Sequence, residues 1–209
     1  MANKLLRTIA NGENESLDFK QTISDAHKIA KTIVAFANHK GGTLLIGVRD
    51  NGSICGTRSE DDKYMLELAG HFYCEPKIDI AVKEHEIDGK TVLEATIEAG
   101  QNKPYYAKDQ DGKWWVYYRV NDKSLQASAV MYQVLKKQNR AHTEISKYSQ
   151  LEAAILQCFK TKAEWRLKEL SEELGIKRNR VVYSLAKLIH FDLLKVVFHN
   201  QEEYYALSA

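Results

Sequence analysis

Three carboxylates and one lysine near the N-terminus have the residue types needed for metal-assisted phosphate chemistry. Glu13 and Asp18 lie on the segment that enters a predicted sheet, and Asp50 ends a predicted strand. If they converge, they can hold Mg²⁺ or Mn²⁺, because hard divalent cations prefer oxygen ligands. Such a metal can activate water for phosphodiester cleavage, and Lys20 can hold the phosphate. The alternative is structural: Glu13 is solvated, Asp18 is a cap, and Asp50 is only a turn residue.

A second set near the C-terminus has residue types that are suited to DNA. It opens a predicted helix, and the N-terminal residues of a recognition helix face base edges or phosphates. Arginine pairs well with guanine, and asparagine pairs well with adenine. The candidate nucleic-acid contacts are Lys177, Arg178, Asn179, Arg180, Tyr183, Ser184 and Lys187. The same module can instead serve in dimerisation or protein docking.

A third set combines aromatic rings with cations around the predicted strand 114–120. Rings on a sheet face can stack bases while cations hold phosphates. This makes Lys103 and Arg119 further candidate nucleic-acid contacts. Alternating aromatics are also ordinary core and cross-strand pairs. Because Trp114 and Trp115 are consecutive, they must point to opposite faces of the strand.

The elements that position the first and third sets alternate helices with hairpins. Helical spacing of apolar residues predicts a helix over 25–40, with a cap at Ser24 or Asp25 and an end at Gly41. An apolar run predicts a strand over 43–48, and Asp50-Asn-Gly52 predicts a turn into a return strand from Ser53. Further predicted elements are a helix over 61–74, strands over 78–86, 91–97 and 114–120, and a closing helix over 130–137. This pattern favours an α+β domain.

The elements that position the second set form a separate pattern. A polar run around 136–140 indicates a linker. Helical patterns follow over 150–159, 167–174 and 177–191, and a β-hairpin is predicted from strands over 193–198 and 204–207. Three helices, a short Gly-containing turn between the last two, and a two-stranded wing are typical of a winged helix-turn-helix.

Composition limits the function classes. A chain of 209 residues forms one large or two small domains, and a net charge of +2 gives no global argument for nucleic acid. No apolar run approaches the ~18 residues of a membrane span, and no secretion signal is present. Cys55, Cys74 and Cys158 are typical of reduced cytosolic thiols. The absence of the Gly-x4-Gly-Lys-Ser/Thr motif argues against an ATPase, and the absence of CxxC and HExxH argues against zinc.

Five motifs together resemble the Schlafen AlbA-like (AlbA_2-type) family over roughly residues 1 to 130. They are Glu13-x4-Asp18-Phe-Lys20, Ala35-Phe-Ala-Asn38-x2-Gly41-Gly42, Gly47-Val-x-Asp50-x-Gly52, Lys103-Pro-Tyr105-Tyr and Tyr117-x-Arg119-Val. The resemblance implies that Glu13, Asp18 and Asp50 match a metal-dependent RNA-cleaving site in nuclease members. Asp18 is shorter than the Glu of those members, and Arg49 brings a positive charge that discourages cation binding. Many bacterial members are instead treated as DNA-binding or transcription regulators.

We therefore predict an α+β Schlafen AlbA-like domain of mixed sheet and helices over 1–135, a linker over 136–147, and a small winged-helix domain over 148–209. The predicted function is a cytoplasmic, bacterial, DNA-binding transcriptional regulator that acts as a homodimer, with RNA as an alternative partner and no membrane association. No cofactor is expected unless the chain is a nuclease, which would need Mg²⁺ or Mn²⁺. The two alternatives are a metal-dependent endoribonuclease and a protein-interaction module.

Overall fold

A computed structural model describes residues 2–138 and 148–208, so the expected linker 136–147 falls mainly outside the described residues. The chain divides into two compact units, Met1–Ala127 and Ser128–Ala209. In the described parts of both units, no helix is long and apolar enough to cross a membrane.

The first unit combines three helices with eight strands, which confirms the expected α+β class. Its helices are α1 (Ala2–Ala10), α2 (Ala26–Asn38) and α3 (Ser59–Phe72). Its strands are β1 (Leu17–Lys20), β2 (Gly42–Ile46), β3 (Cys74–Glu75), β4 (Ala81–Ile87), β5 (Lys90–Ile97), β6 (Tyr106–Lys108), β7 (Trp114–Val120) and β8 (Lys123–Gln126). They form two four-stranded sheets, in the orders β1-β2-β5-β4 and β3-β6-β7-β8.

Helix α2 is the centre of the first unit. It begins after Asp25, whose carboxylate accepts hydrogen bonds from the backbone N–H groups of His27 and Lys28. The helix contacts strands of both sheets, and ten of its thirteen residues are buried. Its apolar side chains therefore form the core that holds the two sheets in place.

The strand expected to return from β2 at Ser53 is absent. The segment does turn back, through an isolated antiparallel bridge between Val48 and Ile54 and backbone hydrogen bonds from Arg49 N–H to Ser53 and from Cys55 N–H to Gly47, but it forms no strand. Strand β2 instead pairs in parallel with β1 and antiparallel with β5. Because both edges of β2 are occupied, no edge remains for a hairpin partner. Gly47, with φ of +95°, redirects the chain out of the sheet.

The second unit contains four described helices and a three-stranded sheet. The helices are α4 (Ala129–Gln138), α5 (Gln150–Cys158), α6 (Leu167–Glu173) and α7 (Arg178–His190). The strands are β9 (Glu164–Trp165), β10 (Leu194–His199) and β11 (Glu202–Leu207), in the order β10-β11-β9. Helix α4 belongs to this unit, because Val130 and Val134 are buried in its core beside Ile155 and Leu185. The division thus falls at Ala127–Ser128, earlier than the sequence predicts.

Candidate nucleic-acid site

Asp18, on β1, is almost completely buried, with 5% of its surface exposed. Its Oδ1 lies 3.4 Å from Nη1 of Arg119, and its Oδ2 lies 2.7 Å from Nζ of Lys20. Lys20 also donates to the backbone carbonyl of Phe19 at 2.6 Å. The negative charge of Asp18 is therefore balanced inside the protein by two cations.

Arg119, on β7, is 3% exposed, and its hydrogen bonds link β7 to other segments of the first unit. Its Nη2 donates to the backbone carbonyl of Asn14 at 2.8 Å, and its Nη1 donates to Oγ of Ser124 at 3.2 Å. Its guanidinium lies 4.7 Å from the centre of the Phe36 ring. The burial argues against the nucleic-acid contact that the sequence predicts for Arg119, because a guanidinium enclosed this way cannot reach a phosphate.

Glu13 lies in the electrostatic field of the other two candidate carboxylates. Its Oε1 accepts a hydrogen bond from the backbone N–H of Phe19 at 2.8 Å. Burial raises the pKa of Glu13, the negative charges of Asp18 and Asp50 raise it further, and the Phe19 N–H and Lys20 oppose them. Asp50 itself is exposed on the loop after β2.

These carboxylates do not fit a divalent cation as they are arranged. Within residues 2–138 and 148–208, no three His, Cys, Asp or Glu side chains are grouped so that they could hold a metal ion. Oδ2 of Asp18 accepts no hydrogen bond from the described residues, but Nζ of Lys20 lies 2.7 Å away, so a cation placed there would meet the positive charge of the lysine. The predicted metal roles of Glu13, Asp18 and Asp50 stay predictions.

Lys103 lies at the C-terminal end of α2, in a cluster of positive charge. Its Nζ donates to the backbone carbonyl of His39, and burial lowers the pKa of Lys103. Burial also lowers the pKa of His39; Glu15 opposes this, and Lys40, Lys103 and Arg119 lower it further. The cluster has a positive local field, but Lys103 is partly committed to the backbone.

Asn38, which in the sequence stands only as part of the Ala35–Gly42 motif, organises this end of α2. Its Nδ2 donates to the carbonyls of Tyr105 and Tyr117, and its Oδ1 accepts from the N–H of Tyr105. A polar side chain within a run of apolar helix residues was the available signal, because a buried amide needs partners. Asn38 is thus a structural link between α2 and the second sheet.

The start of α7 presents the most accessible candidate set. Lys177, Arg178, Asn179 and Arg180 are all exposed, and Tyr183 is 57% exposed one turn later. No carboxylate of the described residues lies within ion-pair distance of these three cations. Their charges are therefore free to meet an external anion.

Two other members of this set lie deeper. Ser184 is only 8% exposed. Nζ of Lys187 donates to Oε2 of the buried Glu152 at 3.0 Å. The accessible members of the predicted set are therefore those of the first turn of α7 and Tyr183.

Trp114 and Trp115 are both partly exposed, at 42% and 37%. Nζ of Lys108 lies 5.6 Å from the centre of the Trp114 ring. Nε1 of Trp115 donates to Oδ2 of Asp109 at 2.7 Å. Both indoles already have local partners, so the β6–β7 hairpin is a weaker candidate for nucleic-acid binding than α7.

The chain belongs to the Schlafen, AlbA_2 family, whose model matches residues 13–128, more than half of the sequence. Membership of this family associates the chain with nucleic acid. The match covers the Glu13–Asp50 region and β7 but does not extend to α7.

Two solved structures are similar to this chain. The DIP2311 protein from Corynebacterium diphtheriae is 19% identical with a TM-score of 0.49; the alignment covers 77% of this chain and 33% of that protein. The N-terminal domain of an ATP-dependent DNA helicase RecG-related protein from Nitrosomonas europaea is 22% identical with a TM-score of 0.43, over 71% of this chain and 98% of that domain. Neither similarity is strong enough to support a functional argument. No curated protein matches the chain.

Proposed function

We propose that the protein is a DNA-binding transcriptional regulator that acts as a homodimer and contacts duplex DNA through its second unit. The observation that supports this most directly is the exposed first turn of α7. Lys177, Arg178 and Arg180 lie there with Asn179, and no described carboxylate neutralises them. Positive side chains at the start of a helix are suited to the phosphates and base edges of a major groove.

The arrangement of the second unit supports a winged helix as the DNA-binding module. A short strand, β9, lies between α5 and α6, and the hairpin β10–β11 follows α7. Strand β11 pairs with both β9 and β10. Gly175, with φ of +61°, makes the tight turn between α6 and α7. We propose that α7 is the recognition helix and that the turn at Asn200–Gln201 is the wing tip.

The distribution of charge supports the same assignment. Residues 1–127 contain 17 Lys and Arg against 19 Asp and Glu, a net charge of −2. Residues 128–209 contain 13 against 9, a net charge of +4. Because phosphate contacts dominate affinity for nucleic acid, the second unit is better suited to DNA. We propose that the AlbA_2 domain supplies dimerisation or signal sensing.

Fluorescence anisotropy with a labelled duplex of arbitrary sequence tests DNA binding. Binding should weaken as salt rises, because phosphate contacts release counterions. The triple variant Lys177/Arg178/Arg180→Ala should lose at least about tenfold in affinity. A control variant, Lys83/Lys123/Lys160→Ala, removes the same charge from exposed positions outside α7 and should bind far more tightly. Equal losses in the two variants would contradict the proposal.

Selection of bound duplexes from a random library tests regulation by a homodimer. A two-fold dimer of recognition helices should enrich an inverted repeat with half-sites about 10 base pairs apart, or a multiple of that spacing. Enrichment of one unrepeated half-site would contradict the dimer, and no enrichment would contradict sequence-specific regulation. A structured RNA in the same assay tests the alternative partner.

The endoribonuclease alternative retains one observation in its favour, which is the influence of Asp18 and Asp50 on the pKa of Glu13. It requires Asp18 to leave Lys20 and Asp50 to turn inward. Its test is incubation of structured RNA with Mn²⁺ and, separately, with Mg²⁺, using the wild type and Asp50→Asn. Cleavage that Asp50→Asn abolishes would establish the nuclease, and intact RNA across metals would exclude it.

A further inference from the structure

A cavity of about 450 Å³ opens beside the outward face of α7, at the first turn of α5. One cation and no carboxylate line it. The lining residues are Ser149, Gln150, Leu151, Arg180, Tyr183 and Ser184. Its chemistry therefore favours an anion with several acceptor oxygens.

The first wall of the cavity is the N-terminus of α5. Oγ of Ser149 accepts from the backbone N–H of Glu152 at 3.2 Å, and Oε2 of Glu152 accepts from the N–H of Ser149 at 2.9 Å. This capping box leaves the N–H groups of Gln150 and Leu151, which have no acceptor within their own helix. The positive end of the helix dipole adds to their attraction for an anion.

The second wall is α7, where Ser184 provides an independent indication of a ligand. Ser184 is more than nine-tenths buried, and its hydroxyl makes no hydrogen bond to any residue that the structure describes. The hydroxyl is not fully enclosed, because it borders the open cavity. Because Ser184 lines the cavity, an oxygen placed there would supply the missing bond.

Arg180 and Tyr183 stand at the mouth of the cavity, and both are exposed. A guanidinium binds phosphate oxygens with fixed, paired geometry. The nearest buried carboxylate, that of Glu152, is balanced by Nζ of Lys187 at 3.0 Å. The field inside the cavity is therefore positive.

We infer that this cavity seats one phosphate of the DNA backbone, held by Arg180, Tyr183, Ser184 and the first turn of α5. The inference rests on the DNA binding proposed above. It divides α7 into two functions, because phosphate contacts fix the register and base contacts specify the sequence. Arg178 and Asn179 then face the base edges.

Salt titrations on two duplexes, alternating A–T and alternating G–C, test this division. Arg180→Gln should weaken binding to both duplexes by the same factor and lower the slope of log affinity against log salt by about 1. Arg180→Lys should restore the slope, since a lysine also holds a phosphate. Arg178→Gln is the matched comparison, with the same change of charge, and should affect the two duplexes unequally.

The outcomes separate this inference from the function on which it rests. A wild type that binds neither duplex contradicts both. If the wild type binds both duplexes and Arg180→Gln leaves the salt slope unchanged, only the phosphate site is contradicted. Unequal losses on the two duplexes for Arg180→Gln, or failure of Arg180→Lys to restore the slope, also contradict the phosphate site. Ser184→Ala should weaken both duplexes equally and leave the slope unchanged, because a hydroxyl carries no charge.

Discussion

Asp18 and Arg119 form an ion pair in which neither side chain is more than 7% exposed. Burying two charges is unfavourable unless each has further partners. Arg119 has Asn14 and Ser124, and Asp18 has Lys20. The pair joins β1 to β7, which lie about a hundred residues apart in sequence. Asp18, whose spacing in the sequence matches that of a catalytic carboxylate, is therefore an internal counterion of Arg119.

Arg119→Ala should strongly destabilise the first unit. The change leaves the buried Asp18 with Lys20 alone, and removing one partner of a buried pair costs about 3–5 kcal/mol of unfolding free energy. Urea unfolding followed by tryptophan fluorescence measures this. Lys123→Ala, an exposed cation on the neighbouring strand, should change stability by no more than about 0.5 kcal/mol. A loss below about 1 kcal/mol for Arg119→Ala would show that the pair is not structural.

Glu13→Gln should stabilise the protein near pH 7. The pKa of Glu13 is raised above 4.5, chiefly by burial, so the charged form is disfavoured in the folded state. The stability linked to Glu13 is full below its unfolded pKa and is lost as pH rises through the folded value. Glutamine keeps an acceptor for the Phe19 N–H without the charge.

Denaturant unfolding at pH 7 and about pH 3.5 checks the sign of this effect. The gain at pH 7 should be on the order of 0.5 kcal/mol, and it should disappear at the lower pH. Glu86→Gln, the same substitution at an exposed position on β4, serves as the control. A destabilised Glu13→Gln at pH 7 would mean that the carboxylate charge is favourable in the fold.

Elements with strong local patterns were predictable from the sequence. The strand predicted over 114–120 has the same bounds as β7, and the helix predicted over 25–40 contains α2 (Ala26–Asn38) with its cap at Asp25. Strand β1, with four residues, was not predicted. A strand so short is defined by its partner, β2, and no local periodicity reveals it. Because β1 and β5 occupy both edges of β2, the expected return segment pairs only with residues 47–49, beyond the end of that strand.

Gly47→Ala should show how strongly the turn after β2 depends on glycine. Gly47 has φ of +95°, and an added Cβ would lie 2.9 Å from the carbonyl oxygen of Thr91. Gly89 has φ of +71°, but its Cβ would have no neighbour within 4 Å. Gly89→Ala should therefore cost about 1 kcal/mol from conformation alone.

Gly47→Ala should cost at least about 2 kcal/mol more than Gly89→Ala, because its Cβ meets backbone atoms that cannot rotate away. Thermal and urea unfolding of both variants provide the comparison. Similar losses would mean that the loop after β2 shifts to accommodate the methyl group. That result would place Asp50, three residues later, on an adaptable segment.

For the whole molecule, the sequence was informative about class and less so about the site. The AlbA_2 family was recognisable from its motifs, and the family match confirms it. The burial of Asp18 and Arg119 was not predictable, because it depends on contacts between distant segments. Likewise, the position of Lys187 in the sequence predicts a DNA contact. Its ion pair with Glu152 depends on the packing of α5 on α7, which the sequence does not reveal. The division of charge between the two units could have been counted once their boundary was known.

That boundary leads to a prediction about fragments. In a fragment of residues 128–209, α4 remains, and its Val130 and Val134 stay buried. A fragment of residues 148–209 lacks both valines, and the loss of each buried side chain lowers the free energy of unfolding by about 1.5–3 kcal/mol. The longer fragment should therefore fold cooperatively and bind duplex DNA, whereas the shorter one should be less stable by at least about 3 kcal/mol.

Circular dichroism during urea unfolding, followed by anisotropy with labelled duplex, measures both properties. The fragment of residues 1–127, with a net charge of −2, should fold but bind duplex DNA weakly, because it lacks α7. Val130→Ala in the 128–209 fragment is a milder version of the deletion and should lie between the two in stability. Equal stability of the long and short fragments would show that α4 is dispensable to the second unit. Strong, salt-sensitive duplex binding by residues 1–127 would move DNA recognition to the AlbA_2 domain.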